Sequence, residues 1–227
     1  MDYFFDTRDE ASAAAADRIA AALTHRLDTQ KETALVVSGG SSPVRCFESL
    51  SQKAIDWNRV IVLASDERWV AADHDDSNEK LIREKLLVGK AAGATLLPFY
   101  APDTSIDERV AELNDDIRYA LVPFACAMLG MGADGHFASL FPDADNLGSG
   151  LDLESTDLYL PVHTTASPHP RISLSLAALS RSDEIVLLFF GDDKRAVYER
   201  AQAGDRQFPI TRLLRQKRAP VHTYWAP

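Results

Sequence analysis

The chain is poor in cysteine: Cys46 and Cys126 are the only two in 227 residues, and both lie inside apolar stretches far apart in sequence. That excludes a disulfide framework and a cysteine-based metal site, and it fits a reducing compartment. Long apolar runs are also missing. The longest charge-free window, Tyr119 to Ala133, is interrupted by Pro123, Gly130 and Gly132 and is too short to span a bilayer. The first residues, Met1-Asp2-Tyr3-Phe4-Phe5-Asp6, are acidic and lack the basic n-region of a signal peptide. A cytoplasmic protein with no membrane partner is expected. Positive charge is scarce too: 24 Lys+Arg stand against 34 Asp+Glu, a net charge of −10. This argues against nucleic acid or an anionic membrane as partner, because neutralising phosphates needs a basic surface. A locally basic pocket is still compatible with that balance. There is no Gly-x-Ser-x-Gly elbow, neither cysteine lies beside a base, and the aromatics are too scattered for a base-stacking platform.

What is present is a substantial core, with 46% hydrophobic residues. Residues 8–28 place Ala16, Ile19, Ala20, Leu23 and Leu27 on one helical stripe, with Asp17, Arg18, His25 and Arg26 largely off it. Ala34–Val37, Val60–Ala64, Phe124–Leu129 and Ile185–Phe190 are short, continuously apolar runs. Continuous rather than alternating hydrophobicity means burial on both faces, as in a parallel sheet covered by helices. Between these runs, Ser105-Ile106-Asp107-Glu108 is a capping box continued by Val110, Leu113, Ile117 and Leu121. Ser77 can cap a helix through Leu87 that stops near Gly89, and residues 192–203 form another closed by Gly204. Strand–helix alternation with no linker, repeat or composition shift predicts one α/β domain over 1–227 with a mostly parallel sheet flanked by helices. Ligands of such sheets bind at the loops following the strands' C-terminal ends.

Three of those loops stand out. Ser38-Gly39-Gly40-Ser41-Ser42-Pro43 joins a buried strand to a helix starting near Pro43. Its glycines permit close backbone approach and the helix start supplies free N–H groups, so it reads either as an anion cradle or as an ordinary tight turn. It lacks the Gly-Lys-[Ser/Thr] ending of a Walker A loop. Ser65-Asp66-Glu67-Arg68-Trp69-Val70 follows the Val60–Ala64 strand directly, and in it Arg68 fits a bidentate phosphate bond oriented by Asp66 or Glu67, or else a structural ion pair. The third, Gly130 through Pro142, contains Gly-x-Gly-x-x-Gly at Gly130, Gly132 and Gly135. It is not a dinucleotide fingerprint: Pro142 permits only a short helix, and the next strand does not end in the required acid. Its chemistry is Asp134 two residues before His136. Imidazole changes charge near neutral pH, and steered by a carboxylate it is suited to general-base work on water. Arg171 and Lys194 are further cations. Lys194 begins a helix, where it gains nothing from the dipole, so a ligand's negative charge is one reason for its placement. His74-Asp75-Asp76 reads as a polar loop ahead of the Ser77 cap, and His163 and His169 show no metal-ligand pattern.

In order along the chain, Ser38–Pro43, Trp57, Asp66–Val70, Ser77-Asn78, Gly130–Pro142, Arg171–Leu174 and Lys194 resemble the 6-phosphogluconolactonase family. The resemblance spans nearly the whole sequence, and its most specific block is Gly-Met-Gly-Ala-Asp-Gly-His-Phe-Ala-Ser-Leu-Phe-Pro. It implies a modified Rossmann-like fold shared with glucosamine-6-phosphate deaminases and ribose-5-phosphate isomerases. It also implies hydrolysis of 6-phospho-D-glucono-1,5-lactone in the oxidative pentose phosphate pathway, with no metal or organic cofactor. By that similarity His136 is the general base, supported by Asp134, and Arg68 and Lys194 are the main phosphate ligands. Gly39, Gly40, Ser41, Asp66, Gly132 and Arg171 complete the substrate site. The sequence departs from the pattern at Ser167-Pro168-His169-Pro170-Arg171, where a Lys-Pro-Pro-like segment is expected. Two other functions remain in view. A deaminase-type isomerase resembles the family but carries Asp-Glu-Tyr at the Asp66–Arg68 position and an acid before the proline that is Pro142 here. A non-catalytic sugar-phosphate sensor attaches the same domain to a DNA-binding helix pair, for which the α/β pattern leaves no room. The oligomeric state is not encoded in any of these features.

Overall fold

The computed structural model describes residues 1–116 and 121–227, so Ile117, assigned by spacing to the helix after Ser105, lies outside the described residues. The four continuously apolar runs are the strands β2 (Thr33–Val37), β3 (Val60–Ala64), β6 (Cys126–Leu129) and β9 (Ile185–Phe190). Three further strands, β1 (Asp2–Phe4), β5 (Thr95–Leu96) and β10 (Val221–Ala226), join them in one sheet ordered β1-β10-β9-β6-β2-β3-β5. Every pairing in it is parallel. All of β2 is buried, and in β9 only Phe190 escapes full burial, as two-faced coverage requires. Among the described residues no helix is long and apolar enough to cross a membrane.

The covering helices begin where capping chemistry places them. Helix α1 (Arg8–Leu27) is closed at its start by a reciprocal Thr7–Glu10 box and packs against β9 and β10. Helix α2 (Val44–Leu50) starts one residue after Pro43. Ser77 caps α3 (Asn78–Lys85), which ends two residues short of Leu87, and the chain then passes into a 3-10 turn at Gly89–Gly93. Ser105 caps α4 (Ile106–Asp115) through the expected box. The helix Asp192–Ala203 runs to Gly204, whose φ of 101° is open to glycine at little cost.

From β2 the sheet steps to β3 and β5 on one side and to β6, β9 and β10 on the other. The order therefore reverses between β2 and β6, and a crevice opens beyond their C-terminal ends. The loops at 38–43 and 130–142 leave from there, flanked by the segments that follow β3 and β9. A second sheet was not foreseen. Asp66–Arg68, read from sequence as a loop, is a short strand, β4, pairing antiparallel with β8 (Arg171–Leu174), which in turn pairs with β7 (Tyr159–Val162). Three charged residues carry no hydrophobic periodicity, so this strand is specified by its distant partner rather than by its own pattern.

Candidate active site

Gly39, Gly40, Ser41, Asp66, Arg68, Gly132, His136, Arg171 and Lys194 line one cavity of about 350 Å³, joined by Asn78, Phe141 and Ala166 among others. Its size suits a small-molecule ligand. Asp134 is the one expected site residue outside that lining, and it reaches the cavity through His136.

The His136 loop is closed on itself. Gly132 N–H donates to the His136 carbonyl at 2.9 Å, and Gly135 N–H donates to Gly132 at 3.0 Å. Asp134 Oδ1 accepts from the His136 backbone N–H at 3.1 Å and meets ring Nδ1 at 2.6 Å. A Cβ on Gly132 would lie 2.3 Å from the imidazole, so glycine is what lets the ring sit against this turn. Burial alone would raise the Asp134 carboxyl, but the hydrogen bond and charge of His136, with backbone N–H groups, outweigh it and hold it below the usual carboxylate range. An ionised Asp134 can only accept, so in the neutral imidazole the proton between them belongs to Nδ1 and the lone pair to Nε2. Among the described residues Nε2 has no hydrogen-bond partner. The ring leans on Phe141 with centroids 4.1 Å apart, and Ala138, two residues on in the same loop, holds a left-handed φ of 48°.

The cations come from three elements. Register sets Arg68 of β4 opposite Arg171 of β8, which puts two guanidinium groups on one face of the small sheet. Like charges directly opposite repel, and an anion between them reverses the sign. Arg68 Nη1 donates to the Asp76 carbonyl at 3.0 Å and to Asn78 Oδ1, so it is oriented by neutral oxygens and not by a carboxylate. Burial pulls the Arg171 guanidinium down, Asp66 opposes this, and the neighbouring Arg68 charge adds to the fall. Arg171 also lies 5.3 Å over the Phe141 ring and donates through Nε to Ser167 Oγ at 3.1 Å. Lys194 enters from the first turn of the helix Asp192–Ala203 and makes no ion pair among the described residues.

Asp66 has a different surrounding from the one its sequence position suggests. Its carboxylate accepts from Ser65 Oγ at 2.8 Å and Ser139 Oγ at 2.6 Å, with Arg171 Nη1 at 3.4 Å. It therefore ties the end of β3 to the His136 loop and to Arg171, while still facing the cavity. Asn78 and Ser139 were missed as site residues. Asn78 belongs to the Ser77-Asn78 pair of the resemblance, which assigns it no role, yet its side chain fills the space a Cβ on Gly39 would need and donates to the Asp66 carbonyl at 2.7 Å.

Glu67 points away from the cavity. Its two oxygens accept the N–H groups of Arg68, Asn78 and Glu79 at 2.7, 2.8 and 2.7 Å, and the Ser77 hydroxyl at 3.1 Å. Burial raises its carboxyl, the backbone donors of Asn78, Glu79 and Arg68 pull against that, and the rise prevails. The carboxylate thus pins the start of α3 to β4 and so fixes Arg68 against Asn78. Glu67→Ala leaves these donors unpaired in a buried setting. A loss of about 3 kcal/mol is expected, read as a fall in thermal midpoint of roughly 6–12 °C. A midpoint within a degree of wild type would show that the pin is dispensable.

A family model described as Glucosamine-6-phosphate isomerases/6-phosphogluconolactonase matches residues 6–225. A curated protein named 6-phosphogluconolactonase from Pseudomonas aeruginosa is 40% identical over 215 residues, covering 93% of this chain and 89% of the relative. One of the same name from Mesorhizobium japonicum is 37% identical over 223 residues, covering 98% and 94%. The crystal structure of a 6-phosphogluconolactonase from Shewanella baltica matches with a TM-score of 0.91 at 35% identity, covering 100% of this chain and 97% of that one. Sequence and fold agree from end to end, and the chain belongs to the glucosamine-6-phosphate isomerase/6-phosphogluconolactonase family.

Proposed function

We propose that this chain hydrolyses 6-phospho-D-glucono-1,5-lactone to 6-phosphogluconate, as a step of the oxidative pentose phosphate pathway, with His136 as general base. The observation that carries this reading is the imidazole whose Nδ1 is engaged by Asp134 while Nε2 is left for the cavity that Arg68, Arg171 and Lys194 also line. The names of the full-length relatives point to the same reaction.

A δ-lactone is an activated ester, so a positioned water suffices and no covalent nucleophile is needed. His136 Nε2 takes a proton from water as its oxygen bonds to C1. The tetrahedral oxyanion is stabilised by backbone N–H groups or a nearby cation. Collapse breaks the bond between C1 and the ring oxygen, and the imidazolium returns its proton to that oxygen as it leaves. Asp134 holds the ring in the required tautomer. The cations take the remote phosphate, and its binding energy places C1 against the water. Asp66 acts by positioning Ser139 and Arg171, and the Gly39-Gly40-Ser41 turn offers backbone donors to the ligand.

The test compares three readouts on one preparation: opening of the phosphorylated lactone, ammonia release from glucosamine 6-phosphate, and binding of 6-phosphogluconate. Lactone opening well above the spontaneous rate, without ammonia release, is expected. Ammonia release would support the deaminase-type reading, and binding without turnover would support a sensor.

A further inference from the structure

Along the sequence, His74 and Asp76 belong to a polar loop and His169 stands between Pro168 and Pro170. Folding brings them together. His169 Nε2 lies 3.2 Å from Asp76 Oδ2, and His74 Nδ1 lies 3.9 Å from the same oxygen. One ligand atom from each residue falls within 4.8 Å of the other two, and no other such cluster occurs among the described residues. Zinc bonds imidazole nitrogen and carboxylate oxygen at about 2.0–2.2 Å, which sets neighbouring tetrahedral ligands roughly 3.3–3.5 Å apart. Small movements of the exposed His74 and Asp76 side chains toward the half-buried His169 close the remaining difference.

The chemistry of the donors selects the ion. Two imidazoles and one carboxylate suit zinc and its first-row neighbours, whereas calcium and magnesium prefer all-oxygen sets. His74 Nδ1 accepts the Asp76 backbone N–H at 3.1 Å, so it carries a lone pair, which a metal would take in place of that exposed N–H. Asp73 and Asp75 add negative charge nearby, and Lys80 is engaged by Asp75 at 2.7 Å rather than by Asp76. The prolines flanking His169 restrict its backbone, and Pro170 is held by the Trp69 N–H at 2.8 Å. His169 also lies in the segment where the sequence departs from its family's pattern.

We propose that His74, Asp76 and His169 form a binding site for a divalent first-row transition metal, represented by zinc, that ties the 74–76 loop to the 167–170 segment. None of the three lines the cavity, so the ion takes no part in the chemistry. It braces the cations from behind: Asp76 accepts from Arg68 through its carbonyl, and Ser167 accepts from Arg171. The site is independent of which reaction the cavity performs, and its test reads metal rather than turnover.

The chelator-stripped full chain is titrated with zinc in competition with a chromogenic chelator, alongside His169→Gln, Asp76→Asn, His136→Asn and His163→Gln. Wild type is expected to take up one equivalent, with affinity lowered roughly 10-fold or more in His169→Gln and Asp76→Asn. His136→Asn and His163→Gln should bind as wild type does. Zinc at a hundredfold excess over its Kd should raise the wild-type thermal midpoint by about 5 °C or more. It should leave His169→Gln unmoved, and that variant should melt like wild type without zinc. The proposal is overturned if wild type shows no saturable binding below about 1 mM zinc. It is also overturned if binding survives in His169→Gln and Asp76→Asn, or if it disappears in His136→Asn, which would place the ion at the Asp134–His136 pair.

Discussion

Replacing His136 with Ala lowers turnover of the phosphorylated lactone by roughly 10²–10⁴-fold while largely sparing substrate affinity. The imidazole is the one group of the cavity whose lone pair is presented with its other nitrogen fixed. On the proposed mechanism its removal takes away proton transfer but leaves the cations Arg68, Arg171 and Lys194 in the cavity. The loop should hold, because the bonds from the residue 136 N–H to Asp134 and from Gly132 to the residue 136 carbonyl are made by backbone that the substitution keeps. Initial rates corrected for spontaneous opening give the effect on kcat, and circular dichroism checks that the fold persists. A fall in affinity with turnover intact would mean that the ring binds substrate instead of activating water.

Arg68→Ala is expected to act on the other half of the reaction, lowering kcat/KM by roughly 10²-fold, mostly through KM. Some loss in kcat should accompany it, since phosphate binding also positions C1. Arg68→Lys should rescue little: an ammonium cannot hold the Asp76 carbonyl and Asn78 while offering a planar fork to an anion. Stability should move the opposite way. Arg68 and Arg171 face each other across β4 and β8, so losing one guanidinium relieves repulsion that Asp66, 3.4 Å from Arg171, offsets on one side alone. Thermal unfolding without ligand should therefore be unchanged or slightly higher in Arg68→Ala. An unaltered KM would remove Arg68 from the phosphate site.

The central strands were legible because β2, β3, β6 and β9 are buried on both faces, which leaves an uninterrupted apolar run in each. Helix starts were legible because Ser77 and Ser105 perform a local chemical task that sequence displays. Strand β10 was not, although nearly all of it is buried, because His222 and Thr223 interrupt its apolar pattern. His222 is accommodated by Arg18 of α1, whose guanidinium lies 2.8 Å from its Nε2, a partnership no local window contains. The site followed the same division. Gly39, Arg68, His136 and Lys194 announce themselves as glycines or charges at the ends of buried runs. Ser139 and Asn78 do not, since a serine and an asparagine gain meaning only from Asp66 and Arg68 across the fold.

The net charge of −10 becomes intelligible in this frame. On the proposed function an acidic chain takes a phosphosugar and cannot rely on global attraction; the cavity instead gathers Arg68, Arg171 and Lys194, while Glu67 is turned away into the base of α3. The charge that matters is local.

The most direct measurement follows fresh 6-phosphogluconolactone in a stopped assay, with wild type, His136→Ala and buffer alone run side by side. Acceleration by wild type, with His136→Ala close to buffer, is the predicted result. Equal rates for wild type and His136→Ala, or a wild-type rate no faster than buffer, would contradict it.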